Sequence, residues 1–296
     1  MYIPGYPESR PLDIEDKLLL DDLFRHLQPR ISEFTFANLY LFRLAHEYRL
    51  TMVDKALVIL ARGYGGEPYF LLPPEDGSDE ALFRLLDDGL TLYGADGHFI
   101  DNYLSERGVE IVPDRDSFDY LYLRQELAEL PGNRFHKKKN RINYFVSRHA
   151  YSIEQYGASH LQGCLDLLDE WRRVREEIEN DSVVLEADAT AEALRMAAPL
   201  GLEGVVALVD GRIKAFALGE RLNSDTSVCH FEKADPFMEG LYQLIDREFN
   251  RLLFTECTYV NREQDLGIIN LRESKLSYHQ VELIEKFRVR RVDDRR

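Results

Sequence analysis

VVALVDGRIKAFALGERL, running from Val205 to Leu222, is the stretch on which the fold turns. Two apolar runs flank Asp210-Gly211. An Asp-Gly pair between such runs specifies a tight β-hairpin, because both residues accept the positive φ that the turn demands. Downstream, SVCHFEK (Ser227–Lys233) reads as a third strand, ADPFMEG (Ala234–Gly240) as a turn, and LYQLIDREFNRL as an amphipathic helix. TECTYVN then reads as a strand, the segment after it as a helix, and HQVELIEKFRVRR (His279–Arg291) as the last strand. Upstream lie the helices SHLQGCLDLLDEWRRVREEIEN and ATAEALRMAAPLG, the second stopped by Pro199 and Gly201. The order is α-α-β-β-β-α-β-α-β.

The first half repeats this hairpin-then-helix logic. DIEDKLLLDDLFRHL is a helix, and LTMVDKALVILARG and EPYFLLPP are strands joined by the turn GYGGE. Helices SDEALFRLLDDGL and DGHFIDNYLSERG follow, then strands around VEIVP and FDYLYL, then the helix PGNRFHKKKNRINYFVSRH. Gly63, Gly65 and Gly66 have no helix behind them, so they make a poor phosphate loop. This order predicts an α/β (α+β) protein of two similar domains, residues 1–150 and 151–296, meeting near Ala150.

Composition bounds the function. The chain has 296 residues, 45% hydrophobic and 30% charged, enough to bury a real core. No apolar run approaches the roughly 20 residues that cross a bilayer, and MYIPGYPESR lacks the parts of a secretory signal. Three scattered cysteines argue against a disulfide framework, and a cytoplasmic setting is expected. The net charge of −16 opposes coating of nucleic acid or anionic membrane through the overall field. The eight histidines include no pair at metal-ligand helix spacing, so no metal is expected. Walker A, GxGxxG and GxSxG sequences are likewise missing.

Three places carry candidate chemistry. HKKKNR concentrates Lys137, Lys138 and Lys139 in an acidic chain; the run is either a solvated helix face or a phosphate-binding patch. Glu232, at the end of the SVCHFEK strand, is either a general base or a carboxylate ion-paired beside Lys233. The third place is QDLGIINLRESKL. At about 100° per residue, Leu271, Ile268, Leu276 and Ile269 form an arc expected to face the core. Arg272 and Lys275 fall in the middle of that arc. Inward cations need a partner, because a buried unpaired charge is very costly. The partner is a bound phosphate or carboxylate, or a structural carboxylate from Glu263, Asp265 or Glu232. Alternatively the stems snorkel outward, and Asp265 is simply a helix N-cap.

HFEKADPFMEGLYQLI, YVNREQDLGIINLRESKLSYH and RFHKKKNRINYF together resemble the soluble family related to the C-terminal domain of bacterial phosphatidylglycerol lysyltransferase. The resemblance implies two fused GNAT-like domains with mixed, mainly antiparallel sheets, as in the Fem-type aminoacyltransferases that draw on aminoacyl-tRNA. It implies transfer of an activated acyl or aminoacyl group to an amine or hydroxyl acceptor, with acyl-CoA or aminoacyl-tRNA as donor. Glu232 falls where GNAT relatives place reacting groups, and Asp265 and Lys275 fall on matching motif positions. Gly240 marks the turn where a coenzyme A pyrophosphate would rest, but Asp235 and Glu239 beside it would repel that anion. Arg272 and the three lysines are the cations offered to a donor's phosphates. The expected partners are a small-molecule amine or an acyl carrier, with no integral membrane association. The alternative is a GNAT-like pair without chemistry that binds a charged metabolite or a tRNA acceptor end.

Overall fold

A computed structural model describes residues 2–63, 65–74, 77–104, 108–175 and 181–292. Tyr64 of the GYGGE turn, residues 105–107 of the expected fourth helix and residues 176–180 of the long helix lie outside the described residues. In chain order the elements begin with β1 (Arg10–Pro11), α1 (Lys17–Leu27), α2 (Phe36–Phe42), β2 (Arg49–Val53), β3 (Ala56–Arg62) and β4 (Pro68–Leu71). Next come α3 (Ser78–Asp87), β5 (Thr91–Ala95), α4 (Gly97–Tyr103), β6 (Val109–Pro113), β7 (Asp119–Leu123) and α5 (Arg124–Glu129). Then follow α6 (His136–Val146), β8 (Tyr151–Gln155), α7 (Leu161–Arg175), α8 (Asp181–Leu200), β9 (Glu203–Val209) and β10 (Arg212–Arg221). The chain ends with β11 (Thr226–Ala234), α9 (Leu241–Leu252), β12 (Tyr259–Asn261), α10 (Ile269–Leu276), β13 (Glu282–Ile284) and β14 (Phe287–Arg291).

The strands form two mixed sheets of seven, ordered β1-β2-β3-β4-β5-β14-β6 and β13-β7-β12-β11-β10-β9-β8. β4·β5 in the first sheet and β11·β12 in the second are parallel, whereas β1·β2·β3·β4 and β5·β14·β6 in the first, and β7·β12 and β11·β10·β9·β8 in the second, run antiparallel. Contacts divide the chain into one unit of Met1–Asp119, Gln264–Arg272 and Leu283–Arg296 and another of Tyr120–Glu263 and Glu273–Glu282. The break expected near Ala150 therefore falls inside the second unit. The physical reason is strand pairing. β7, which element order assigns to the first domain, pairs with β12 of the second sheet (Tyr259↔Leu123). The expected last strand breaks in two, and β14 pairs with β5 and β6 of the first sheet.

In the first unit α3 and α4 cover the sheet. Leu82, Leu85 and Phe99 pack with Val58, Phe70, Leu92 and Val289, so β14 supplies part of the core. Between β13 and β14, Lys286 is fully buried, with Nζ donating to Glu33 (2.8 and 2.6 Å) and to Asp119 Oδ1 at 2.8 Å. In the second unit the Asp210-Gly211 hairpin forms with Arg212 opposite Val209. α9 buries Leu241, Leu244, Ile245 and Phe249, the stripe that its periodicity predicts. Gly219 is required where α9 meets the sheet, because a Cβ there would lie 2.1 Å from the Val228 carbonyl and 2.7 Å from the Phe249 ring. Among the described residues no helix is long and apolar enough to cross a membrane.

Candidate active site

β11 and β12 are parallel and in register only over Thr226–Val228 and Tyr259–Asn261. β11 continues to Ala234 while still paired with β10, so its other edge opens beyond Val228. A gap at the carboxyl ends of adjacent parallel strands is where open α/β sheets present reacting groups. His230 and Glu232 reach this gap from β11, and Arg262 and Glu263 from the end of β12. His230 is the extra residue of a β-bulge, since Leu218 pairs with Phe231 and Gly219 with Cys229. The bulge re-aims its side chain. Its Nδ1 lies 2.7 Å from Glu263 Oε1 and its Nε2 2.9 Å from Glu220 Oε1. Burial opposes a charge on the ring, but the hydrogen bonds that the protonated ring donates to the two carboxylates outweigh it and push the imidazole up to about 10.

Glu232 and Asp246 share one guanidinium. Arg262 Nη2 donates to Glu232 Oε2 at 2.9 Å, and Nη1 lies 3.2 Å from Asp246 Oδ1 of α9. Two buried carboxylates against one cation leave the pair a proton short of neutrality. Burial, working against the pull of Arg262, raises both carboxyls, Glu232 to about 7. Lys275 is buried at 9% exposure, and its charge lies close enough to favour an ionised Glu232. Its Nζ donates to the Arg262 carbonyl and, at 3.1 Å, to the Glu263 carbonyl. Glu263 needs such anchoring, because it holds a left-handed φ of 56°. Lys275 thus fastens the chain at the point where Arg262 leaves the sheet.

The other sequence candidates are dispersed. Asp265 is fully buried and belongs to the first unit, as does Arg272. Asp265 accepts from Gly267 N at 2.9 Å, from Arg272 Nε and Nη2 at 2.9 and 2.7 Å, and from Arg115 Nη1 at 3.1 Å. Arg272 also reaches Asp116, and these two carboxylates raise its guanidinium further. The apolar arc predicted to face the core is turned to solvent: Ile269 is 72% exposed, and Ile268, Leu271 and Leu276 are exposed as well. Lys275 is the one buried residue of α10.

The lysine run does not act as one face. Lys137 is exposed, Lys139 Nζ donates to the Gly132 carbonyl at 3.1 Å, and Lys138 is buried. Burial first, and the Arg262 cation second, lower the Lys138 amine to about 8. Gly240 caps α9 with φ of 92°, and a Cβ there would lie 2.0 Å from the Arg141 carbonyl of α6. Asp235, in the turn before it, is paired with Lys214 at 2.9 Å and accepts from Phe237 N. Two clefts lie elsewhere in the second unit: one of about 760 Å³ between α7 and α8, and one of about 610 Å³ lined by Arg124, Arg247 and Arg251. Neither is lined by Glu232 or Lys275.

Glu232, Lys275 and Lys138 therefore meet around Arg262 in the second unit, whereas Asp265 and Arg272 pair in the first. Sequence reasoning missed Arg262, Asp246 and His230. The available signal was Asp246 and Asn250, polar residues four apart beside the apolar stripe of α9. A polar pair in that position needs a partner such as Arg262.

The sequence profile of the C-terminal region of phosphatidylglycerol lysyltransferase matches residues 24–290. A conserved protein of unknown function from Bacteroides thetaiotaomicron VPI-5482 is 30% identical, with a TM-score of 0.87 over 95% of this chain and 98% of that one. The C-terminal domain of a putative lysylphosphatidylglycerol synthetase from Agrobacterium fabrum is 12% identical, with a TM-score of 0.63 over 93% and 91% of the two chains. L-PGS from Bacillus licheniformis is 13% identical, with a TM-score of 0.62 over 99% and 95%. A search of curated proteins finds no match to the chain. The last two structures share the fold, two fused GNAT-like domains built on mixed sheets. With nine-tenths of its length covered by the profile, the chain belongs to the family of the phosphatidylglycerol lysyltransferase C-terminal domain.

Proposed function

We propose that this chain is a transferase that moves an activated acyl or aminoacyl group onto an amine or hydroxyl acceptor. The observation that carries the reading is the position of Glu232 in the gap between β11 and β12, with its carboxyl held near neutrality. Such a carboxyl is partly ionised at pH 7 and is matched to taking a proton from an attacking amine. In the step, the amine attacks the acyl carbon, Glu232 takes one amine proton, the acyl bond to the carrier breaks, and the leaving hydroxyl or thiol gains a proton. Arg262 and Lys275 are positioning residues: the first orients the carboxylate, and the second holds the carbonyls from which Arg262 projects.

Family membership favours aminoacyl-tRNA as the donor, with acyl-CoA as the second choice. The groups offered to donor phosphates are Lys137, exposed on α6, and the backbone near Gly240, where Lys214 offsets the charge of Asp235. Arg272 and Asp265 serve the fold in this reading, since they bind each other. A cytoplasmic setting suits it, because both donors are made there. A second reading, a binding module without chemistry, draws on the same geometry: Arg262 already occupies one oxygen of Glu232.

Glu232→Gln separates the two. Wild-type protein and variant are assayed for donor-induced thermal stabilisation and for transfer from aminoacyl-tRNA and acetyl-CoA to amines. The variant is expected to fold, still respond to donor, and lose transfer by about a hundredfold or more. Undiminished transfer would remove Glu232 as the base. A donor response in wild-type protein without transfer to any acceptor would establish the binding module instead.

A further inference from the structure

Lys138 and Ser277 form a contact that the proposed reaction leaves unused. Lys138 comes from α6, and Ser277 is the first residue after α10. The lysine Nζ lies 2.7 Å from Ser277 Oγ and 3.7 Å from the centroid of the Tyr278 ring. Lys138 is buried, while Ser277 is exposed. A reagent can therefore reach the hydroxyl while the amine stays shielded. A nucleophile within hydrogen-bond reach of a base, with the base held by a third group, is the general signature of covalent catalysis. Serine with lysine as its base is one established form.

We propose that Ser277 and Lys138 are a nucleophile–base pair, and that Ser277 Oγ accepts an acyl group from an activated ester. The groups facing the amine are the Arg262 and Arg141 cations, the Asp246 and Glu232 carboxylates, and Tyr278. Burial and the Arg262 cation outweigh the carboxylates, so the amine loses its proton near pH 8. The Ser277 hydroxyl, which donates to the Ser274 carbonyl at 2.5 Å, then turns its proton toward Nζ. As Oγ attacks the acyl carbon, the O–H bond breaks and its proton moves to Nζ. The ester C–O bond breaks, and Nζ returns that proton to the departing oxygen. Transfer onward reverses the roles: an amine or water attacks the acyl-serine, Lys138 takes its proton, and Oγ leaves and regains one. The native acyl group rests on the transferase reading; the pair's own reactivity does not.

The probe is p-nitrophenyl acetate, which needs neither the donor nor the acceptor of the proposed transfer. Modified protein is mapped by peptide mass spectrometry before and after hydroxylamine, which removes acetyl esters and leaves acetyl amides. The expected result is a hydroxylamine-labile acetyl group on Ser277 whose rate of formation rises with pH through about 8. Ser277→Ala, at an exposed position, should abolish it. Lys138→Arg keeps a cation over Tyr278 but cannot act as a base, and should slow it on the order of a hundredfold. Acetylation found only as stable amides, including on Lys138, overturns the proposal, as does Ser277 acetylation undiminished in Lys138→Arg. Transfer to an amine without Ser277 acylation would overturn the covalent pair and leave direct transfer through Glu232 standing.

Discussion

Burial alone would strip the proton from His230, yet two carboxylates hold it in place. The imidazole is pushed up to about 10 in the folded chain, against about 6.5 when unfolded. A raised value means that the folded state binds the proton more tightly. The resulting stability is complete below about pH 6.5 and is lost as pH rises through about 10. We expect His230→Gln to cost on the order of a few kcal/mol at pH 6, and that cost to shrink steadily toward pH 10. Denaturant melts of both proteins across this range provide the measurement, and a difference independent of pH would refute the ion-pair account. At this scale the sequence was partly legible. Reading SVCHFEK as a strand set Glu232 near its carboxyl end, as β11 has it, but the bulge at His230 left no mark in that stretch. Arg262 stood next to Glu263 in plain view; its importance depends on Asp246, sixteen residues earlier, which only the packing of α9 brings to it.

At the scale of elements, α10 shows why periodicity misleads in a short helix. Ile268, Ile269, Leu271 and Leu276 share an arc, but the eight-residue helix is oriented by polar anchors at its two ends. Asp265 with Arg272 holds one end, and the carbonyls taken by Lys275 hold the other. These charge-assisted contacts to fixed partners outrank a hydrophobic face of two turns. α9, at twelve residues, behaves as its stripe predicts because its burial is large. Gly240 joins α9 to α6, and its φ of 92° and the 2.0 Å clash awaiting a Cβ give two separate reasons for glycine. Gly240→Ala is therefore expected to cost more than about 1 kcal/mol, read as a fall in the unfolding midpoint. If glycine were needed only to admit a donor's phosphate, the variant would keep its midpoint and lose donor-induced stabilisation alone.

At the scale of the whole molecule, two fused domains were legible because the hairpin-helix order occurs twice, but their boundary was not. A boundary inferred from element order assumes that each sheet is built from consecutive strands. Here β7 belongs to the second sheet and β14 to the first, so each unit draws a strand from across the expected break. Lys286 enforces the second exchange: its ammonium is the counter-charge for Glu33 and Asp119, both buried. Burial raises the Glu33 carboxyl against the pull of that lysine, so Glu33 is poorly tolerated without it. Fragments 1–150 and 151–296 should consequently fail to fold separately. The first lacks β14 and leaves two buried carboxylates without their cation; the second lacks β7, the neighbour of β12. Circular dichroism and urea melts of each fragment should show no cooperative transition, whereas mixing or co-expressing the two should restore one. The intact chain carrying Lys286→Met supplies the matching control, with an expected loss of about 3–5 kcal/mol from the stranded carboxylates. A cooperative transition in either isolated fragment would show that the exchanged strands are dispensable and that Ala150 is a true domain boundary after all.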